Sequence, residues 1–211
     1  MHQTAQQIPE ACTTLRKGLT SRVSDCGRLV LEKHKHSDLE LMTKIGTGNM
    51  RALGELVQRH QQTVLALAYR TLGRWDLAED VTQEVFLRVH RSASRFKPKA
   101  KVTTWMYRIA VNLCMDTLRR TKRTPIAIPD ESKLPAPAGR DSLEARERID
   151  MVKRAVANLP DRQRTVLNLF RYQELSHKEI AEATGWSASS VESLLVRAYA
   201  NLRKSLSKLK E

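Results

Sequence analysis

The residues with the most distinctive chemistry in this chain lie in "TTWMYRIAVNLCMDTLRRTKR", residues 103–123. Trp105 and Tyr107 stand at the head of an apolar stretch, and Arg119, Arg120, Lys122 and Arg123 at its tail. Aromatic faces can stack on unpaired bases, each stacked base contributing roughly 1–3 kcal/mol. Guanidinium and ammonium groups neutralise phosphates and anchor a strand without reading its sequence. A buried helix would account for the apolar stripe, and the helix dipole for cations at a C-terminus. Both features at opposite ends of one helix suit a nucleic-acid surface. The spacing turns Trp105, Ile109, Leu113 and Cys114 inward and leaves Tyr107 outward, flanked by Arg108 and Asn112.

A second set of chemically capable residues is Cys12, Cys26, His34 and His36. Their types could hold zinc, which would make the chain a metal or redox sensor. The spacing lacks a compact CxxC pair, so the reading favoured is no metal and no cofactor. The sequence also holds no HExxH, no phosphate-binding glycine loop and no nucleophile–base pair placed by spacing, so catalysis by the chain itself is not expected.

The elements that must position these residues read as all-α. Lys and Arg number 37 against 23 acidic residues, a formal charge of +14 in 211 residues, which points to a polyanionic partner. Aromatic residues make up only 5%, so the core must be built from Leu, Ile, Val and Ala. Residues 1–36 form a flexible N-terminal extension on this reading. Residues 37–123 form a first helical domain, beginning at "SDLELMTKI" with a serine cap and acids in the first turn. Its second helix carries Leu53, Leu56, Val57, Val64, Leu67 and Ala68 and stops at Gly73. In "RWDLAEDVTQEVFLRVHRSASRF", Leu77, Ala78, Val81, Val85 and Val89 face a core, while Asp80, Gln83, Glu84 and Leu87 share another face. A basic loop with Phe96, Lys97, Pro98, Lys99 and Lys101 leads to the helix containing Thr104 and Trp105. Pro125, Pro129, Pro135 and Pro137 make residues 124–141 an extended linker.

Residues 142–211 read as a second small helical domain. Ser176 and Glu179 form a capping box, and Gly185 ends that short helix. A longer helix beginning near Ser187 completes a helix-turn-helix pattern. Its base-reading candidates are Ser187, Ser189, Ser190, Glu192 and Ser193, with Lys178 and Arg197 as phosphate or base contacts.

Both halves, in this order, resemble bacterial RNA polymerase sigma factors of the extracytoplasmic-function type. "DLAEDVTQEVFLRVHR" is similar to the family's core-polymerase-binding helix. "FKPKAKVTTWMYRIAVNLCMDTLRR" is similar to its promoter-melting and downstream-element segment. "LPDRQRTVLNLFRYQELSHKEIAEATGWSASSVESLLVRAYANLR" is similar to its upstream-element domain. The resemblance implies a transcription initiation factor whose partners are core RNA polymerase, promoter DNA and an anti-sigma factor. It makes Asp80, Gln83, Glu84 and Leu87 the polymerase face. It makes Phe96, Lys97, Lys99, Lys101, Thr104, Trp105, Tyr107, Arg108, Asn112, Arg119, Arg120 and Arg123 the melting and downstream-element surface. The loop from Phe96 to Val102 matches the family loop that holds a flipped-out base. Where the family often has basic residues, this chain has Glu192, Leu194 and Tyr199. With no secretory leader and no long apolar run, a cytoplasmic protein that does not insert in a membrane is expected. The rival reading is a stand-alone helix-turn-helix repressor or activator.

Overall fold

The computed structural model describes residues 36–98, 100–121 and 143–207. All regular secondary structure among them is helical. Helix α1 (Asp38–Gly46) starts at Ser37, whose hydroxyl accepts from the Glu40 amide at 3.2 Å. The Glu40 carboxylate accepts from the Ser37 amide at 2.7 Å, completing the reciprocal cap. Helix α2 (Met50–Leu72) is capped by Asn49, whose side-chain oxygen accepts from the amides of Arg51 and Ala52. It ends at Gly73, in the left-handed region at φ 71°, where a side chain would be strained. Helix α3 (Trp75–Ser92) runs into a short 3-10 turn (Ala93–Arg95), and the basic loop then feeds helix α4 (Val102–Arg120).

Leu41, Met42, Ile45, Leu56, Val64, Leu67, Val85, Val89, Met106 and Val111 are all buried where α1 to α4 meet. Full burial of each such side chain contributes roughly 1.5–3 kcal/mol. Leu53, Val57 and Leu77, expected in the core, pack on its edge instead. A polar knot also fixes α1 to α2. Asp38 accepts from Arg59 at 3.0 Å and lies 2.8 Å from the His60 ring. Those partners, His60 first, hold the Asp38 carboxyl below its usual range against the opposing effect of burial. At the far end of α1, Gly46 meets the backbone of the 3-10 turn. A β-carbon there would stand 3.2 Å from the Ala93 carbonyl oxygen and from Ser94 Cα.

The second half consists of α5 (Leu143–Ala157), α6 (Asp161–Tyr172), α7 (His177–Thr184) and α8 (Ala188–Ser207). Ser176 and Glu179 form the expected capping box, and Gly185 turns the chain at φ 74°. Val191, Leu195 and Ala198 face inward from α8. The two halves do not stand apart. Helix α7 packs along α4, and α6 packs against α2 and α4. Val166, Leu169, Ile180, Ala183, Val191 and Leu195 are continuous with the core of the first half. Residues 1–35 and 122–142, with the expected extension and linker, lie outside the described residues.

Candidate nucleic-acid and polymerase interface

Helix α3 presents two opposed faces. Ala78, Val81, Val85 and Val89 are buried, while Asp80, Gln83 and Leu87 are exposed and Glu84 is half-buried. Leu87 is 48% exposed, an apolar side chain set among carboxylates. The Glu84 carboxylate accepts from Arg88 Nε at 2.7 Å. That bond, with further attraction from Arg88 and Arg91, outweighs desolvation and keeps its carboxyl below the ordinary range. The face therefore stays anionic at neutral pH around one apolar contact point.

Helix α4 carries a different face to solvent. Arg108, Asn112, Arg119 and Arg120 are exposed. The Arg119 guanidinium is held by Asp116, one turn back along the helix. Trp105 is half-buried and packs on Phe96, ring centroids 5.0 Å apart and planes tilted by 55°. Tyr107 corrects the expectation from sequence. It is 7% exposed, turned into the core with Val111, Cys114 and Leu118. Burial first, then the Asp38 carboxylate, push its phenol up to about 12. No base can stack on it in this arrangement. Thr104 is also buried, its hydroxyl without a hydrogen-bond partner among the described residues, so it too leaves the outward set. The spacing of 107, 111, 114 and 118 at i, i+4, i+7 and i+11 was the available signal for Tyr107. Cys114 is a core residue whose thiol burial raises to about 12.

In the basic loop, Lys97 and Lys101 are exposed and Phe96 is half-buried. An open pocket of about 430 Å³ lies between this loop, α1 and the 3-10 turn, lined largely by Leu39, Met42, Thr43, Phe96 and Pro98. Lys101 Nζ donates to Glu179 Oε1 at 2.8 Å, tying the loop to the helix-turn-helix. Glu179 also accepts from the Ser176 amide and hydroxyl, and Lys101 with Ser176 lowers its carboxyl to about 2. Lys99 and Arg123 fall outside the described residues.

Helix α8 begins after Ser187, whose hydroxyl accepts from the Ser190 amide at 3.2 Å and lies 3.2 Å from the Ser189 hydroxyl. Ser187 thus caps the helix as well as facing solvent. Ser189, Glu192, Ser193 and Arg197 are exposed, Ser190 is half-buried, and Lys178 is exposed on α7. Val196 was missed by the sequence reading. It is 64% exposed, one turn beyond Glu192 and Ser193 on the same outward face. An apolar group there suits a thymine methyl in a major groove. Its position at i+3 and i+4 from two candidates already named was the signal.

Among the described residues no three His, Cys, Asp or Glu side chains gather as a metal-holding group, and no helix is long and apolar enough to cross a membrane. Cys12, Cys26 and His34 lie outside the described residues, while the His36 ring sits 2.9 Å from the Lys44 ammonium.

Comparison with known proteins places the chain in a family. The Sigma-70 region 2 model matches residues 56–124, and the Sigma-70 region 4 model matches residues 149–202. The ECF RNA polymerase sigma factor SigM of Mycobacterium tuberculosis is 34% identical over 174 residues, covering 82% of this chain and 87% of that protein. SigW of Bacillus subtilis, also an ECF RNA polymerase sigma factor, is 29% identical over 190 residues, covering 80% of this chain and 98% of that one. Among solved structures, CnrH in complex with the cytosolic domain of CnrY aligns at a TM-score of 0.60 with 28% identity, covering 81% of this chain and 97% of that one. Two region models in chain order, each on one of the two packed helical sets, together with a relative of this identity and coverage, show that the chain belongs to the extracytoplasmic-function sigma factors of the sigma-70 family.

Proposed function

We propose that the chain is a transcription initiation factor that binds core RNA polymerase and directs it to specific promoters. The observation that carries this reading is the separation of faces. One chain joins an anionic, Leu87-centred stripe on α3 to a cationic, polar stripe on α4 and an outward helix-turn-helix. A stand-alone repressor has use for the last of these but not for the first. Asp80, Gln83, Glu84 and Leu87 contact polymerase. Arg108 and Asn112 meet the downstream element, with Trp105 and Phe96 beside the loop and pocket that receive an unpaired base. Arg119 and Arg120 hold phosphates. Ser189, Glu192, Ser193, Val196 and Arg197 read the upstream element. Polymerase supplies the nucleotidyl-transfer chemistry, and the chain acts in the cytoplasm where polymerase and promoter meet. An anti-sigma protein is its negative partner, as membership of the extracytoplasmic-function family implies.

The test is promoter footprinting with and without core polymerase. Weak binding by the chain alone and a specific, polymerase-dependent footprint are expected, because polymerase fixes the spacing of two linked modules and raises the effective concentration of the second module at its site. A tight footprint from the chain alone as a dimer would support the repressor reading instead.

Within the complex, Arg119→Ala with Arg120→Ala is expected to lower affinity across promoter sequences. The slope of log affinity against log salt should fall by about 2, one unit for each phosphate no longer neutralised. Asn112→Ala should leave that slope in place and reduce permanganate reactivity of unpaired thymines on duplex templates, with partial recovery on pre-melted bubbles. Identical salt slopes for both variants would remove the division between anchoring and melting positions.

A further inference from the structure

The outward face of α8 is short of charge. Residues 188–200 hold one cation, Arg197, and one anion, Glu192, which leaves this reading segment neutral. Affinity for duplex DNA comes chiefly from neutralised phosphates, so a domain with this helix needs anchoring cations on neighbouring elements. Lys178 on α7 is exposed and is one of them. A second stands on α6, where no motif in the chain pointed to it.

Arg162 is the second residue of α6 and is exposed. Its guanidinium carbon lies 5.2 Å from the centre of the Trp186 ring, in the turn that joins α7 to α8. Trp186 is half-buried and packs against the core, so its ring is a fixed platform. Among the described residues no carboxylate pairs with Arg162. Its neighbour Asp161 accepts instead from Arg164 at 2.8 Å. A guanidinium held by an aromatic face keeps its N–H donors, and without an acidic partner its charge is available to an anion.

The place of this pair says which anion. Trp186 is followed by Ser187, whose hydroxyl accepts from the Ser190 amide at the start of α8. A recognition helix enters the major groove by its N-terminal residues, and the elements around that end run beside the sugar–phosphate walls. A cation fixed at the turn therefore meets a backbone phosphate and not a base edge.

We propose that Arg162 is a phosphate anchor of the upstream-element site and that Trp186 is the residue that positions it. The proposal rests on the sigma-factor reading above and adds two residues that lie outside the faces assigned there. Sequence is then read by α8, while Arg162 and Lys178 hold the duplex against it.

The test uses the chain bound to core polymerase and a promoter duplex that this complex selects from a randomised pool. Arg162→Ala should weaken promoter affinity about fivefold across the recovered sequences and lower the slope of log affinity against log salt by about one. Uncharged methylphosphonates, placed singly along the upstream element, locate the contact. At one position the parent complex should lose about fivefold, and Arg162→Ala should lose nothing further there. Trp186→Leu keeps the charge but removes the aromatic face; it should weaken binding about threefold and shrink the loss at that phosphate. Trp186→Phe should restore most of both, a response to a single phosphate that a merely structural tryptophan would not move. If Trp186→Leu does not fold, Trp186→Phe and the phosphate scan of Arg162→Ala carry the test. Unchanged affinity and slope for Arg162→Ala, or a phosphate scan matching the parent's in either Arg162→Ala or Trp186→Leu, would overturn the proposal. So would an equal loss of affinity for core polymerase without DNA, which would set Arg162 against polymerase. Failure of the functional reading is distinct: the parent complex would then select no sequence from the pool.

Discussion

Replacing Arg164 by Met should lower stability by about 3–5 kcal/mol, the usual cost of breaking a buried, hydrogen-bonded charge network. For a chain of this size that is a fall in thermal midpoint of roughly 6–20 °C. The side chain is 1% exposed and all three guanidinium nitrogens donate hydrogen bonds. One terminal nitrogen donates to the carbonyls of Ala157 and Leu159, both at 2.9 Å, where α5 ends. The other donates to the Asp161 carboxylate at 2.8 Å, and Nε reaches Thr71 across the interface. One cation thus sits at the C-termini of two helices, where backbone carbonyls are unpaired and the dipole favours positive charge. Burial pulls its pKa down and Asp161 pulls it up, but a guanidinium remains charged throughout. Met fills much of the volume and leaves three carbonyls and a carboxylate without their donor. Calorimetry and chemical denaturation give the measurement. A change below about 1 kcal/mol would mean that water replaces the guanidinium at no cost, and that the network contributes little.

Charge reversal at Asp80 and Glu84 together, each to Lys, should weaken association with core polymerase by at least a hundredfold while the fold persists. Close charge pairs at protein interfaces show couplings of about 1.5–7 kcal/mol, so two reversed charges reach that effect readily. Asp80 is exposed and Glu84 half-buried, and exposed substitutions normally change stability by less than about 0.5 kcal/mol. Reversal at Glu84 also breaks its pair with Arg88, a local cost expected to be small because such helical pairs contribute only about 0.3–0.5 kcal/mol. Titration of labelled chain into core polymerase, beside circular dichroism of each variant, separates binding from folding. Equal affinities for parent and double variant would return these carboxylates to ordinary solvated charge.

Local chemistry was the part of this fold open to sequence reading. Ser37 with Glu40, Ser176 with Glu179, Gly73 and Gly185 each act within one helical turn, so their roles follow from neighbours in the chain. The core stripe of α3 followed from period alone. Helix α4 was harder because apolar residues occupy two of its sides. Trp105, Ile109 and Leu113 pack on the edge of the core, while Tyr107, Val111, Cys114 and Leu118 lie inside it. Only tertiary packing decides which side goes deepest, and that choice removed Tyr107 and Thr104 from the outward surface. The docking of the two halves left no periodic trace. In "DRQRTVLNLF", Gln163, Arg164, Thr165 and Asn168 look like a solvated helix face, yet all four are buried. Arg164, Thr165 and Asn168 meet a backbone carbonyl, a thioether and nothing at all across the interface, Gln163 meets Asn201 of α8, and such partners carry no pattern in the chain itself.

The meeting of Gly46 with the 3-10 turn bears on how this protein can diversify. That turn delivers the chain into the basic loop, and its position against α1 is set by main chain on both sides: a β-carbon at 46 would crowd the Ala93 oxygen and Ser94 Cα. A joint made of backbone does not depend on which side chains follow it. Mutations at Lys97 or Lys101 can therefore accumulate without moving the root of the loop. Descendants of one gene could retune their promoter choice there one residue at a time, while a single added methyl at position 46 would press on the backbone from which the loop starts.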